Sequence, residues 1–168
     1  MPSSFSATEI VDIAKQIESA GEAFYAEALK HLKDPQIVKI FAFLRDEERR
    51  HGAAFEALLA NLQKAGDWRQ DEQYLGYLRV LADDRVFPDP ARARSVVAML
   101  EDDEAAIRYA LGFEKDSILF LYEMKTMMRE EDQPMVERLI AEEKSHVLRL
   151  HALLAERGAT QPTDKGRG

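Results

Sequence analysis

The chain of 168 residues contains no cysteine, which excludes disulfides, thiolate metal sites and iron–sulfur clusters. It also lacks any run approaching the roughly 18 apolar residues that a membrane-spanning helix needs. Its first residues show no basic segment followed by an apolar one, as a signal peptide would. No glycine-rich fingerprint follows a strand pattern, so no flavin or nicotinamide site is expected. We therefore expect a cytoplasmic protein that does not enter the membrane.

Positive charge is scarce as well. Lys and Arg number 23 against 31 Asp and Glu, and the net charge is −8. An acidic protein repels a phosphate backbone, so nucleic acid is not an expected partner. A chain of this length fits one domain with a substantial core. We assign residues 1–158 to a single domain and residues 159–168, which are polar and rich in Gly, Pro and Thr, to a C-terminal tail.

Two helical segments carry Glu and His three residues apart in the middle of an apolar seam. In the first, the pair is Glu48 and His51; in the second, it is Glu143 and His146. Residues three or four apart share one face of a helix, so each pair would project into the core. Burying a carboxylate without a partner costs several kcal/mol, so a positive group must meet them. The other seam members are Ile37, Phe41, Leu44, Phe55, Leu58 and Leu62 in the first segment, and Val136, Leu139, Leu150 and Leu153 in the second.

The two segments are an internal repeat. Leu44–Ala60 aligned on Leu139–Ala155 without gaps gives eight identities in seventeen positions. Each copy is preceded by a helical segment with one acidic residue in its apolar seam, Glu18 in the first and Glu114 in the second. The repeat unit is therefore a Glu helix followed by a Glu-x-x-His helix, and the chain contains it twice.

This order of residues is that of a di-metal carboxylate bundle, in which two helices contribute one Glu each and two contribute Glu-x-x-His. Four carboxylates balance the charge of two divalent cations, and an oxygen-rich donor set suits iron or manganese better than structural zinc. The donor set therefore predicts two metal ions, iron or manganese, with zinc as a substitute; the choice of two iron ions comes from the family resemblance described below. The predicted ligands are Glu18, Glu48, His51, Glu114, Glu143 and His146.

Helix-start and helix-stop residues divide the chain into an all-α fold of four long helices. Loops of two to five residues join the first two helices and the last two, so each pair is expected to be an antiparallel hairpin. About 35 residues link the pairs, enough to cross the bundle once, as in ferritin-like folds. We expect helices at about Ser6–Leu32, Pro35–Ala65, Asp103–Arg129 and Gln133–Gly158, a short helix at Asp71–Asp84, and a helical piece capped by Ser95 that ends at Leu100.

At these residues the chain resembles the rubrerythrin branch of the ferritin-like superfamily, over about residues 7–157. The resemblance implies that Glu48 and Glu143 bridge two irons, that Glu18 and Glu114 are terminal ligands, and that His51 and His146 bind one iron each. It is carried by Glu18 with Tyr25 seven residues later, by Asp46-Glu47-Glu48-Arg49-Arg50-His51, by Glu114-Lys115-Asp116-Ser117-Ile118 and by Glu142-Glu143-Lys144-Ser145-His146.

The chain departs from that family in two places. Full-length rubrerythrins add a rubredoxin-type domain with four cysteines that supplies electrons, and this chain has no cysteine. Ser117 stands where the family has a second Glu, one turn beyond Glu114, with which its peroxide specificity is associated. The resemblance therefore implies a metal site more directly than a peroxidase.

The function implied by the resemblance is a di-iron reaction with hydrogen peroxide or dioxygen. Because the chain has no cysteine for an iron–sulfur centre and no fingerprint for a flavin or nicotinamide, we expect the electrons to come from a separate donor protein or a small reductant. Two alternatives stay open. One is iron handling, in which Fe(II) is oxidised without peroxidase turnover. The other is a non-enzymatic helical interaction module whose metal site is a relic.

Tyr25 lies on the same helix face as Glu18 and can either hydrogen-bond a ligand carboxylate or serve as a core tyrosine. His31 and His151 fall off the apolar seams and are expected on the surface. Arg49 and Lys144 are candidates to pair with the glutamates that precede the ExxH motifs, Glu47 and Glu142.

The crossover is richer in apolar residues than one helix face can bury. We therefore expect a homodimer in which this surface meets its own copy, unless it caps the bundle. The residues concerned are Tyr74, Leu75, Tyr77, Leu78, Val80 and Leu81.

Overall fold

The computed structural model describes residues 5–65, 69–70, 76–78, 80 and 92–160. Within them, the long helices are α1 (Ala7–Ala28), α2 (Pro35–Ala65), α4 (Asp103–Met127) and α5 (Gln133–Thr160), and a short helix, α3 (Ala93–Ala98), lies in the crossover. Residues 76–78 and 80 are also helical. Two-residue strands, β1 (Phe5–Ser6) and β2 (Arg69–Gln70), pair antiparallel and join the start of the chain to the crossover.

The long helices form two hairpins. Helix α1 packs along α2 and α4 packs along α5, while α1 contacts α4 and α2 contacts α5 across the bundle. The predicted fold class, an all-α ferritin-like bundle of two hairpins with one long crossover, is confirmed. Among the described residues, no helix is both long enough and apolar enough to cross a membrane.

Side chains cap two of the helices. The sequence predicts Asp34 as the cap of α2 and either Asp102 or Asp103 as the cap of α4. Asp34 precedes α2, and its Oδ1 accepts from the backbone N–H of Gln36 at 2.9 Å. Asp102 precedes α4, and its Oδ1 accepts from the backbone N–H of Ala105 at 2.8 Å. These bonds satisfy N–H groups that have no partner inside the helix.

One end of the bundle is closed by Asp103, which links the two hairpins. Its Oδ2 accepts from the backbone N–H groups of Asp34 at 2.8 Å and Lys33 at 3.2 Å. At the same end, Nη1 of Arg157 lies 2.9 Å from Oδ2 of Asp34. The loop between α1 and α2 is thereby attached to the start of α4 and to the last turns of α5.

Several predicted boundaries were wrong by a few residues. Helix α1 ends at Ala28 instead of Leu32, because the N–H groups of Lys30 and His31 bond the carbonyls three residues back, which tightens the last turn out of α-helical geometry. Ser95 does not cap α3; the helix starts two residues earlier, after Arg92, in the register that buries its own Ala93 and Val97.

Two helix ends also differ. Helix α4 ends at Met127 and not at Arg129, since Met128 is extended, with φ −82° and ψ 149°. Helix α5 runs to Thr160, two residues into the predicted tail. The sequence also offers helix-ending signals at Gly66 and at Phe87–Pro90. Both lie outside the described residues, as do residues 161–168 of the predicted tail and most of the predicted helix at Asp71–Asp84.

The interior consists of two apolar clusters, one toward each end of the bundle. The first joins the N-terminal part of α1 and the C-terminal part of α2 to the end of α4 and the start of α5; it includes Ile10, Phe55, Leu62, Phe113, Phe120, Met124 and Val136. The second joins the opposite halves of the same helices; it includes Phe24, Tyr25, Phe41, Leu44, Ile107, Leu150 and Leu153. A band of polar side chains lies between them.

Candidate metal centre

All six predicted ligands converge in the band between the two apolar clusters. Each of the four long helices contributes where its apolar seam is interrupted, and each of the six residues is at most 1% exposed. Helix α1 contributes Glu18, α2 contributes Glu48 and His51, α4 contributes Glu114, and α5 contributes Glu143 and His146.

The six side chains form two overlapping groups. In the first, one ligand atom from each of Glu18, Glu48, His51 and Glu143 lies within 4.8 Å of the others; in the second, the same holds for Glu48, Glu114, Glu143 and His146. Glu48 and Glu143 belong to both groups, as carboxylates that bridge two metals would. Glu18 with His51, and Glu114 with His146, each belong to one group.

The histidines turn Nδ1 toward the carboxylates. His51 Nδ1 lies 3.4 Å from Oε2 of Glu18, and His146 Nδ1 lies 3.4 Å from Oε2 of Glu114. His51 Nδ1 is also 2.8 Å from Oε1 of Glu143, yet neither of these two atoms makes a hydrogen bond. At that distance a hydrogen bond fails only when the donor and acceptor are not aimed at each other.

Six buried side-chain atoms, one from each predicted ligand, have no hydrogen-bond partner among the described residues. Buried polar atoms are nearly always paired, so a cluster of this kind requires an explanation. Carboxylate oxygens and an imidazole nitrogen that crowd together without bonding one another fit the donor set of a pair of divalent cations. The atoms are Oε2 of Glu18 and Glu114, Oε1 of Glu48 and Glu143, Nδ1 of His51 and Nε2 of His146.

The pKa values of the four buried glutamates also indicate that the cluster needs positive charge. Burial raises the pKa values of Glu18, Glu48 and Glu114, and for Glu48 the neighbouring carboxylates raise the pKa further. Burial alone would raise the pKa of Glu143 too, but its interactions with Glu114 and the two histidines outweigh burial and lower that pKa. Without metal, protons must take up the excess negative charge.

The histidine pKa values move in the direction set by the carboxylates. Burial lowers the pKa of His51, but Glu143 and Glu18 outweigh it and raise the pKa to about 11. Burial likewise lowers the pKa of His146, and Glu114 and Glu143 raise it to about 9. Carboxylates that favour a proton on each ring would equally favour a metal cation in its place.

Tyr25 serves both as a core side chain and as a hydrogen-bond donor to a predicted ligand. Its ring makes edge contacts with Phe24 and Phe41, with centroids 5.3 Å and 5.2 Å apart. Its hydroxyl donates to Oε1 of Glu114. Burial, followed by the nearby carboxylates, raises the pKa of Tyr25 well above its ordinary value, so the hydroxyl keeps its proton and remains a donor.

A family model described as Rubrerythrin matches residues 9–154, a span that contains all six converging side chains. The chain belongs to the rubrerythrin family. The buried carboxylate and histidine cluster is compatible with the di-iron site of rubrerythrins. No curated protein and no solved structure is a significant match to the chain.

Within this rubrerythrin-family bundle, Gly21 allows Glu48 to approach the backbone of α1. A Cβ atom at position 21 would lie 2.7 Å from Oε2 of Glu48 and 2.7 Å from the ring of Phe113. Real Cβ atoms do not come so close to other heavy atoms, so any other residue at position 21 would force the Glu48 carboxylate and the Phe113 ring to shift.

The sequence did not identify the side chains behind the histidines. Nε2 of His51 lies 3.0 Å from Oε2 of Glu142, while Nε2 of His146 lies 3.8 Å from Oε2 of Glu47. The two rings stack, with centroids 5.6 Å apart and planes 17° apart. The signal that could have found these glutamates is the internal repeat, in which they are an identical pair.

The remaining candidates lie away from the centre. His31 and His151 are exposed, as predicted. The expectation that Arg49 and Lys144 pair with Glu47 or Glu142 was wrong: Arg49 binds Glu22 at 2.8 Å, and Lys144 donates to the hydroxyl of Tyr122 at 2.7 Å. Each of these side chains thus binds a residue on the other helix of its own hairpin. Arg50, one position further along α2, pairs with Glu47 and Glu142 instead.

Proposed function

We propose that this protein holds two iron ions between its four long helices and reacts with hydrogen peroxide or dioxygen. The observation that carries the proposal is a set of five buried, unpartnered atoms among the predicted ligands: one oxygen from each of the four glutamates, and Nδ1 of His51. Leaving so many polar atoms unpaired in a protein core would cost several kcal/mol in total, and two bound cations remove that cost.

Each residue has a distinct role in this proposal. Glu48 and Glu143, which belong to both groups, bridge the metals. Glu18 and Glu114 are terminal ligands, and His51 binds one metal while His146 binds the other, as the resemblance implies. When bound, two ferrous ions supply the two electrons that reduce hydrogen peroxide to water.

The surrounding residues fix the ligands and exclude water. Tyr25 donates to Glu114 and so limits the orientations that this carboxylate can adopt. The two apolar clusters close the site from both ends of the bundle, which lowers the local dielectric and strengthens the electrostatic interactions within it.

Electrons for repeated turnover come from a separate donor in this proposal. The chain has no cysteine to hold an iron–sulfur centre and no fingerprint for a flavin or nicotinamide. A donor protein or a small reductant must therefore restore the ferrous state. Sustained peroxide turnover by the isolated chain with NADH alone would contradict this part of the proposal.

Oxidation of Fe(II) without peroxidase turnover is the second candidate, and Ser117 favours it. Ser117 is buried one turn beyond Glu114, where it offers a hydroxyl in place of a carboxylate. The donor set is thus limited to four carboxylates and two imidazoles, without the additional Glu that is associated with peroxide specificity in the family.

Metal analysis tests the centre itself. After anaerobic loading with Fe(II) and removal of unbound metal, we expect two irons per chain. A value of one or less would contradict the proposal and would favour a helical interaction module with a relic site.

Kinetics separate the two activities once two irons are found. Repeated consumption of hydrogen peroxide with a chemical reductant indicates a peroxidase. A single oxidation of the bound Fe(II) by dioxygen or peroxide, followed by release of iron to a ferric chelator, indicates iron handling. The matched control for both assays is Glu48→Ala, which is expected to have neither activity.

A further inference from the structure

The two histidines of the proposed centre differ in how their outward-facing nitrogens are held. Nε2 of His51 lies 3.0 Å from Oε2 of Glu142 with hydrogen-bond geometry. Nε2 of His146 is buried, lies 3.8 Å from Oε2 of Glu47 and has no hydrogen-bond partner among the described residues. Because the two glutamates occupy equivalent positions in the internal repeat, the difference does not come from the acceptor's residue type.

Arg50 accounts for the difference. Its Nη2 makes a short ion pair with Oε2 of Glu47, the same oxygen that faces His146. The guanidinium therefore competes with the imidazole for one acceptor. Nη2 also lies 3.2 Å from Oε2 of Glu142, but that oxygen keeps its bond to His51.

The asymmetry is encoded in the repeat. Arg50 follows Glu47 by three residues, so it lies one helical turn along the same face. The position that follows Glu142 by three residues is Ser145, which cannot form an ion pair. Glu142 thus has no charged neighbour at that spacing on its own helix, and it is free to hold the histidine across the bundle.

A hydrogen bond of this kind affects the metal through the histidine. When Nε2–H donates to a carboxylate, the ring is fixed with the Nδ1 lone pair facing inward, and the imidazole becomes a stronger ligand. The Phe43 ring lies nearly perpendicular to the His146 ring, with centroids 6.0 Å apart, and it offers no acceptor that could replace the missing bond.

We propose that Glu142 and Arg50 make the two metal positions unequal. Glu142 holds His51 as a ligand, so the metal position on His51 fills first. Arg50 holds Glu47 away from His146, so the position on His146 fills second and binds more weakly. The inference rests on the proposed dinuclear centre, and it assigns Glu142 and Arg50 as positioning residues that act through the histidines.

Anaerobic titration of the metal-free full chain with cobalt(II) chloride tests the proposal, since the visible spectrum of bound Co(II) reports each coordination geometry. The wild-type chain should take up two Co(II) in two resolved steps with different spectra. Glu142→Ala should weaken the first step roughly 10- to 100-fold, the usual range for the loss of a partner behind a metal-bound histidine. Glu142→Gln, which keeps an acceptor oxygen, should recover most of that loss.

The internal repeat offers a matched control. Glu47→Ala removes the equivalent carboxylate on α2, which does not hold His146, so both binding steps should remain unchanged. Arg50→Ala should have the opposite effect to Glu142→Ala, because it releases Glu47 to accept from His146 and so tightens the second step.

Equal weakening by Glu47→Ala and Glu142→Ala would overturn the proposal, as would an unchanged second step in Arg50→Ala. If Glu142→Ala does not fold, Glu142→Gln, Glu47→Ala and Arg50→Ala still decide the question. A wild-type chain that binds one Co(II) or none contradicts the dinuclear centre itself. Two Co(II) bound in one unresolved step leave the centre intact and overturn only the inequality.

Discussion

The carboxylate of Glu48 rests against the backbone of α1 at Gly21, at a distance that leaves no room for a side chain between them. A Cβ atom there would meet Oε2 of Glu48 and the ring of Phe113, each at 2.7 Å. The position of a predicted bridging ligand is therefore determined in part by the absence of a methyl group on the neighbouring helix.

Gly21→Ala should consequently displace Glu48 and weaken the site. We expect overpacking to cost roughly 1–3 kcal/mol of folding stability, and dinuclear occupancy to fall. The control is Gly112→Ala on the exposed face of α4, where a Cβ meets nothing within 4 Å. That substitution should stabilise the helix by about 0.5–1 kcal/mol. Denaturant unfolding and iron content measure both effects, and equal results for the two variants would disprove the steric argument.

Glu48→Ala and Glu143→Ala should each abolish dinuclear occupancy. Each carboxylate belongs to both ligand groups, so its removal takes a donor from both metals. His31→Ala and His151→Ala, which change exposed side chains, should leave two irons per chain. Metal analysis after anaerobic Fe(II) loading distinguishes these outcomes. If His151→Ala emptied the site as fully as His146→Ala, the assignment of His146 as the ligand on α5 would be wrong.

Tyr25→Phe should weaken the centre without rearranging the core. It keeps the ring contacts with Phe24 and Phe41 but removes the hydroxyl that donates to Glu114. Leaving a buried acceptor unpaired costs roughly 1–3 kcal/mol, and metal affinity should drop about 10-fold or more. Tyr122→Phe is the control, because the hydroxyl of Tyr122 is on the surface and binds Lys144. Comparable losses in both variants would argue against a specific role for Tyr25.

The metal-free protein should lose stability as pH rises. Three of the four buried carboxylates have raised pKa values, and the pKa values of His51 and His146 are raised to about 11 and about 9. Groups with a raised folded-state pKa stabilise the fold below their unfolded pKa, and this stability is lost as pH rises through the folded pKa. Glu143, with a lowered pKa, has the opposite sign, but its effect falls at acidic pH, below the ordinary Glu value of 4.5.

The decline should therefore extend from about pH 5 to about pH 11, where His51 loses its proton, at up to about 1.4 kcal/mol per pH unit for each proton involved. Metal replaces these protons, so the loaded protein should not follow the same decline. Thermal unfolding of chelator-treated and metal-loaded samples across this range measures the difference. A gap in melting temperature that stays constant or narrows with rising pH would contradict the prediction.

The homodimer also remains a prediction. Leu78 is buried in the apolar interior, whereas Tyr77 is 43% exposed and Val80 is 60% exposed; Tyr74, Leu75 and Leu81 lie outside the described residues. If the exposed side chains meet a second copy, light scattering at micromolar concentration should give the mass of a dimer. Val80→Glu, which would place a charge in the contact, should then reduce the measured mass to that of a monomer. A monomeric wild-type mass would exclude the contact.

Hydrophobic periodicity was sufficient to predict the convergence of the six ligands. Glu18 and Glu48 interrupt apolar seams, and a residue in a seam faces the interior wherever its helix packs. Short loops then make two hairpins, and the repeat aligns one pair of glutamates with the other. None of these steps needs the orientation of a side chain.

Contacts that depend on the fine geometry between helices could not be predicted in the same way. Glu142 lies beside the seam of α5. Only the placement of α2 decides that its carboxylate contacts Nε2 of His51 and not a water molecule. The need for glycine at position 21 likewise appears only once Glu48 and Phe113 are in place. Ser95 was misassigned because a capping preference is weaker than the burial of Ala93 and Val97.

The bonds from Lys33 and Asp34 to Asp103 also set the longitudinal alignment of the two hairpins. A ridge-and-groove interface between helices can slip by one turn, about 5.4 Å, with little change in apolar contact. Such a slip would carry Glu18 and Glu48 past Glu114 and Glu143 and leave each half of the ligand set facing aliphatic side chains. A carboxylate at the end of the bundle thus keeps the two hairpins in register, about three helical turns before Glu114 on the same helix.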